Sequence, residues 1–142
     1  MSFSRDELLK DVKEEELSPE QLANFEVHVV KMNKLRAAYG KRLKVTSGVR
    51  SMKKHLQIYK NKGITDTKKI PMKSKHLSAQ ASDIIPLDES IEEFQQWILD
   101  NPEIMEEIDL YFEDFNFSPT WIHVQSVPFG SYKPGGTRMF KP

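Results

Sequence analysis

Apolar residues recur at helical spacing through the first third of the chain and at alternating spacing in several short stretches after it. Ser18-Pro19-Glu20-Gln21 combines an N-cap, a proline at the first helical position and a capping-box glutamine, and Leu22, Phe25, Val29, Met32 and Leu35 follow at intervals of three and four. This predicts a helix that ends near Gly40. Upstream, residues 5–16 are charge-rich with Leu8, Leu9 and Val12 as their only apolar stripe. They predict a short amphipathic helix packed loosely on the body, making residues 1–17 a peripheral N-terminal element, with Glu14-Glu15-Glu16 solvated.

Leu43-Lys44-Val45-Thr46 alternates as a half-buried strand should, and Ser47-Gly48 breaks it, placing Arg50 at a strand's end. A helix is expected from Ser51 to about Lys62, with Met52, Leu56 and Tyr59 on one side and Gly63 as its stop. A basic loop containing Pro71 then runs to Lys75. Residues 81–85 read as a short buried strand closed by Pro86, and Ser90 caps a helix that carries Ile91, Phe94, Trp97 and Ile98 inward. A single helical turn at 103–108 leads to strands at 110–112 and 121–125, separated by a Ser-Pro turn, and the tail from Pro134 reads as a turn feeding a short edge strand. Helices first and short strands later imply an α+β fold, with a small, mainly antiparallel sheet and helices packed on one face.

At 142 residues the chain suits one domain, 1–142, whose core spans 43–125. Lys plus Arg and Asp plus Glu number 21 each, so no overall field draws the molecule to nucleic acid or to an anionic membrane, and neither is expected as a partner. The N-terminus lacks a basic segment followed by an apolar one, and no apolar run approaches membrane-spanning length. A monomer without a signal peptide is expected, made in a bacterial or host cytoplasm or packed into a phage virion. Cysteine is absent, which excludes disulfides, thiol nucleophiles and thiolate-bound zinc; a transition metal here must rely on imidazole and carboxylate.

Such a set exists in His76, Asp83 and His123. Catalytic zinc takes three protein ligands of this kind and keeps its fourth position open. Spacing alone leaves a second reading open, in which the two histidines are hydrogen-bonded core residues and the fold is metal-free. His28 and His55 share no ligand spacing with another histidine on their helices and read as structural or exposed. The lysines at 53, 54, 68, 69, 73 and 75 form a basic side that is either solvated or able to meet an anionic polymer such as a cell wall.

Ser74-x-His76-x-x-Ala79-x-Ala81-x-Asp83, with Trp121-x-His123 downstream and Thr46-Ser47-Gly48-x-Arg50-Ser51 upstream, resembles the zinc D-alanyl-D-alanine carboxypeptidase family. That family includes peptidoglycan-cleaving phage endolysins and shares its fold with the hedgehog signalling domain. The resemblance implies a Zn2+ cofactor on His76, Asp83 and His123, a peptidoglycan peptide as substrate, and cleavage at D-alanyl bonds. It makes Arg50 the cation that stabilises the growing oxyanion and places Ser74 close to the substrate. Trp121 can line the groove, and Tyr132 with Gly135-Gly136 can form a rim or lid.

Two positions depart from the family pattern. Ala79 replaces a glycine, so the backbone there is expected to avoid the left-handed region. Thr120 stands where the family commonly carries an acidic general base, and a threonine hydroxyl cannot accept a proton near neutral pH. Glu113 and Asp114 are the replacement candidates, with Asp114 ranked first. The alternatives are that metal-bound hydroxide works alone and slowly, or that the chain is a non-catalytic zinc-binding phage structural or wall-binding module.

Overall fold

The Ser18 hydroxyl accepts from the Gln21 N–H, the Gln21 side chain answers at the Ser18 N–H, and α2 (Pro19–Tyr39) starts there. It ends at Gly40, whose φ of 75° lets its N–H close on the Arg36 carbonyl. The buried stripe of α2 is Phe25, His28, Met32, Leu35 and Tyr39. Leu22, expected inside, is exposed, and His28 takes a place in the stripe instead.

A computed structural model describes residues 2–10, 12–70 and 73–142; Asp11 of the expected first helix and Pro71 of the basic loop lie outside them. The remaining helices are α1 (Arg5–Leu9), α3 (Met52–Asn61), α4 (Ile91–Asp100) and α5 (Pro102–Ile108). The strands are β1 (Leu43–Ser47), β2 (Ala81–Pro86), β3 (Tyr111–Glu113), β4 (Ile122–Gln125) and β5 (Met139–Phe140). They form one sheet in the order β1-β2-β4-β3-β5, antiparallel throughout except for the parallel pairing of β3 with β5. The fold is therefore α+β, with a mixed sheet.

Because strand side chains alternate, the sheet has two unlike faces. On one, Val45, Ile84 and Ile122 share a row, and Val124 and Phe112 share the next. These pack with Phe25, Met32, Leu35, Phe94 and Leu110 into the core. Each fully buried side chain of this size contributes about 1.5–3 kcal/mol. The other face carries Ser47, Asp83 and His123 side by side across β1, β2 and β4.

The N-terminal segment differs from expectation. Helix α1 is only one turn and a half, yet Phe3, Leu8 and Leu9 are buried in the core. The Leu8 carbonyl accepts from the Val49 N–H at 3.2 Å, so the segment is stitched to the end of β1 and is not loosely peripheral. Gly48 permits this approach, since a Cβ there would collide with the Leu8 carbonyl.

Candidate metal centre

Three local devices bring His76, Asp83 and His123 together. Register sets the first: Asp83 on β2 lies directly opposite His123 on β4, and both project from the face opposite to that of Ile84 and Ile122. A bulge in β1 between Val45 and Ser47 is the second, bringing Ser47 opposite Asp83 and turning the chain towards Gly48. The third is the turn before β2. There the Leu77 N–H returns to the Ser74 carbonyl at 3.0 Å and the Gln80 N–H to the Lys75 carbonyl at 2.8 Å. Helix α2 grips this turn from behind, with Gln21 and Asn24 donating to the carbonyls of Leu77 and Ser78 at 2.8 and 3.1 Å.

Ala79 completes that turn at φ 63°, in the left-handed region it was expected to avoid. Reversing the chain after one helical turn commonly uses a residue of this conformation, and here it leads from the turn that holds His76 into β2. An alanine there costs about 1–2 kcal/mol relative to a right-handed residue.

The hydrogen bonds around the two imidazoles fix their tautomers. His76 Nδ1 lies 2.8 Å from the Gly48 carbonyl, which can only accept, so Nδ1 carries the proton and Nε2 turns its lone pair to the site. Gln125 donates its amide to the Val127 carbonyl at 3.0 Å, which leaves its Oε1 to accept from His123 Nε2, also at 3.0 Å. His123 Nδ1 therefore aims a lone pair at Asp83 Oδ1, 3.0 Å away, and His76 Nε2 aims one at the same oxygen from 3.4 Å.

Two lone pairs and a carboxylate facing one point require a cation between them. Asp83 Oδ1 lies 3.4 and 3.0 Å from the two imidazole nitrogens, near the edge of about 3.4 Å that tetrahedral zinc imposes at its usual bond lengths, and all three ligand atoms lie within 4.8 Å of one another. The donors thus fit a divalent metal. Without one, protons must serve. Burial alone would raise the Asp83 carboxyl, but hydrogen bonds and charge from His123 and His76 outweigh it and hold the group well below the usual carboxylate range. Burial likewise works to lower His123, and the Asp83 contact reverses this, so His123 holds its proton more tightly than a free imidazole.

The centre opens into a cleft of about 590 Å³. Arg50 lines it, half-buried, with its Nη2 3.3 Å from Ser47 Oγ and its N–H bonded to the His76 carbonyl. Its Nε is buried with no partner among the described residues, and no ion pair there engages the guanidinium. Ser74 and Trp121 also line the cleft. The Ser74 hydroxyl lies 3.3 Å from the His76 N–H as a turn cap.

Of the two acids, the structure places Glu113 in the cleft and not Asp114. The reason is strand alternation: Tyr111 pairs with Gln125 and Phe112 with Val124, so Glu113 continues the register beside His123 on the same face. Burial raises the Glu113 carboxyl above the ordinary glutamate range, and His123 only partly offsets this. Asp114 instead accepts from the Asn116 N–H at 2.9 Å and caps the following turn. Thr120 is exposed.

The far wall of the cleft, which sequence reasoning missed, comes from the tail. Phe129 and Phe140 lie there 5.3 Å apart, and the Phe140 ring stands edge-on to His123 at 5.7 Å. Tyr132 and Gly135-Gly136, expected as a rim over the site, line a separate cavity beside α4 and α5. Only the short apolar pair Met139-Phe140, already read as an edge strand, signalled that the tail reaches the sheet.

No helix among the described residues is long and apolar enough to cross a membrane. No curated protein and no solved structure matches the chain significantly. A family model described as peptidase M15 matches residues 1–125, a stretch that contains the bulge, the turn, all three metal-facing side chains and Glu113. On that match, and with its His–Asp–His group able to hold a metal, the chain belongs to the peptidase M15 family.

Proposed function

We propose that the protein is a zinc-dependent peptidase that cleaves bacterial cell-wall peptides at D-alanyl bonds. The observation that carries this reading is the convergence of two tautomer-fixed imidazoles and one carboxylate in a cleft that also holds a carboxyl of raised affinity for protons. His76 Nε2, Asp83 and His123 Nδ1 would hold the zinc. When bound, zinc supplies Lewis acidity, polarising the scissile carbonyl and acidifying the attacking water.

The chain's own residues supply the rest. Glu113 takes a proton from the water as its oxygen attacks the carbonyl carbon, and passes it to the leaving nitrogen as the C–N bond breaks. Arg50, with no carboxylate partner, stabilises the negative charge that grows on the carbonyl oxygen. The Gly48 carbonyl and Gln125 keep the imidazoles aimed at the metal. Ser74 and Trp121 border the substrate. The alternative of a non-catalytic zinc module rested on Thr120, and Glu113 supplies the carboxylate that position 120 lacks.

The protein is proposed to act as a monomer on peptidoglycan peptides, after release from a cytoplasm or from a virion. Purified protein should take up one zinc and release new amino termini from peptidoglycan or from a peptide ending in D-Ala-D-Ala. Asp83→Asn should abolish both. Failure to bind zinc would remove the centre, and zinc uptake without new amino termini from mildly acidic to alkaline pH would leave only the binding module.

A further inference from the structure

Residues 126–142 lie beyond the stretch on which the family assignment rests, yet they build the far wall of the cleft. The segment leaves β4 as an irregular loop, returns as β5, and is tied down at both ends. At the start, the Ser126 N–H donates to the Gln80 carbonyl at 2.9 Å, and Lys31 Nζ donates to the Ser126 carbonyl at 2.7 Å. At the return, Arg138 Nη1 reaches Asp109 Oδ1 at 3.0 Å and the Leu110 carbonyl at 3.3 Å. Its guanidinium lies over the Tyr111 ring, 4.6 Å from the centroid. Backbone bonds complete the closure: the Phe112 N–H donates to the Arg138 carbonyl at 2.9 Å, and the Asp114 N–H to the Phe140 carbonyl at 2.8 Å. The segment is a strap latched across the edge of β3.

Strand alternation divides the apolar side chains of the strap between two surfaces. Met139 packs against the core, whereas Phe140, one residue on, lines the cleft together with Phe129. Both rings are half-buried, 5.3 Å apart and tilted by 36° to each other. Phe140 stands where the chemistry is placed: its register partner on β3 is Glu113, and its ring meets His123 edge-on at 5.7 Å. Ring surface left to water in a concave site is stabilised when apolar surface covers it. We propose that the strap is a specificity element, in which Phe129 and Phe140, held in place by Arg138, form a subsite for a bulky apolar side chain of the peptide near the scissile bond. The inference rests on the peptidase reading for the position of that bond and on the strap's geometry for the chemistry of the subsite. Phe129 and Phe140 touch the substrate; Arg138 acts through them, as a positioning residue. Alanine covers little of the two rings, so leucine and phenylalanine are the preferred occupants.

The test uses peptides labelled with a fluorophore at the amino terminus, in which Ala, Leu or Phe stands either just before a terminal D-Ala-D-Ala pair or, in the D form, in place of its last residue. Binding to the zinc-loaded full chain is read by fluorescence anisotropy, and cleavage by new amino termini. At one of the two positions Leu or Phe should bind about tenfold more tightly than Ala, and high salt should leave that preference in place. The position that shows it tells on which side of the scissile bond the subsite lies. Phe129→Ala and Phe140→Ala, checked for native circular dichroism, should each cut the preference to about twofold, whereas Phe140→Leu, which keeps an apolar wall, should retain most of it. Arg138→Gln should lower the preference with both rings still present. Equal binding of Ala, Leu and Phe at both positions overturns the proposal. So does a preference that survives in Phe129→Ala, Phe140→Ala and Arg138→Gln, because a merely structural strap would weaken every peptide alike and leave their ratio unmoved. Size-selective binding without cleavage keeps the subsite and rejects the peptidase reading, whereas cleavage of all the peptides at equal affinities does the reverse.

Discussion

His28 and His123 stand on opposite faces of the same sheet, each against a β2 side chain one residue from the other's. His28 Nε2 meets Ser82 Oγ at 2.8 Å on the helix-covered face, and His123 Nδ1 meets Asp83 at 3.0 Å on the cleft face. Their affinities for protons move in opposite directions. Burial, reinforced by electrostatic repulsion from the direction of His76, His123 and Lys31, pushes His28 down to about 3, while Asp83 overrides burial and raises His123. The neighbour, and not depth alone, decides whether a buried imidazole is a neutral packing group or a charged one ready to exchange its proton for a metal.

The largest expected effect extends this division of faces to β3. If the cleft face carries the chemistry, Glu113→Gln should lower kcat by about 10²–10⁴-fold with zinc still bound, and Asp114→Asn should leave turnover unchanged. Steady-state kinetics on the zinc-loaded variants, with metal content measured alongside, reads both. Equal losses from the two substitutions would break the assignment, because Asp114 leaves the strand to cap a turn.

A smaller effect concerns stability. The unfolded chain protonates His28 near 6.5, whereas the folded protein resists until about pH 3. Below 6.5 the unfolded state therefore binds more protons, and stability present above that pH is lost as the pH falls towards 3. The slope from this one group is at most about 1.4 kcal/mol per pH unit. His123 works the other way in metal-free protein: its raised affinity adds stability at low pH that is lost as the pH rises through its folded value. Urea denaturation of chelator-treated protein should show the acid loss, and His28→Gln should flatten it. An unchanged slope in that variant would mean that the two histidines are not in the contrast described.

Much of this contrast was legible in the sequence, and the illegible parts share a cause. Asp83 and His123 stood out because two ligand types fall in short strands, and register between neighbouring strands does the rest. The cap, the proline and the apolar spacing announced α2. On sequence His28 stays between structural and exposed, although the structure buries it, because a histidine inside an apolar stripe gives no periodic signal of its own. Glu113 lost to Asp114 on sequence because adjacent acids differ only in which face they take, and that depends on where β3 stops. The tail reads as an edge strand, but its part in the cleft depends on which strand those two residues pair with, and a two-residue parallel pairing with β3 is too short for any pattern to announce.

The smallest expected effect tests the turn that feeds Asp83 to its face. Ala79 and Ala81 are both fully buried, two residues apart, but only Ala79 has positive φ. Replacing either with glycine removes a buried methyl, at about 0.8 kcal/mol, and adds unfolded-state freedom of about 0.5–1 kcal/mol. At Ala81 nothing offsets these losses, so Ala81→Gly should destabilise by about 1–2 kcal/mol. At Ala79 the relief of about 1–2 kcal/mol of left-handed strain nearly cancels them, and Ala79→Gly should leave stability within about 0.5 kcal/mol of the parent. Denaturant midpoints at one pH compare the pair directly. If Ala79→Gly cost as much as Ala81→Gly, the turn would hold no strain, and the placement of His76 and Asp83 on the cleft face would owe nothing to a forced reversal there.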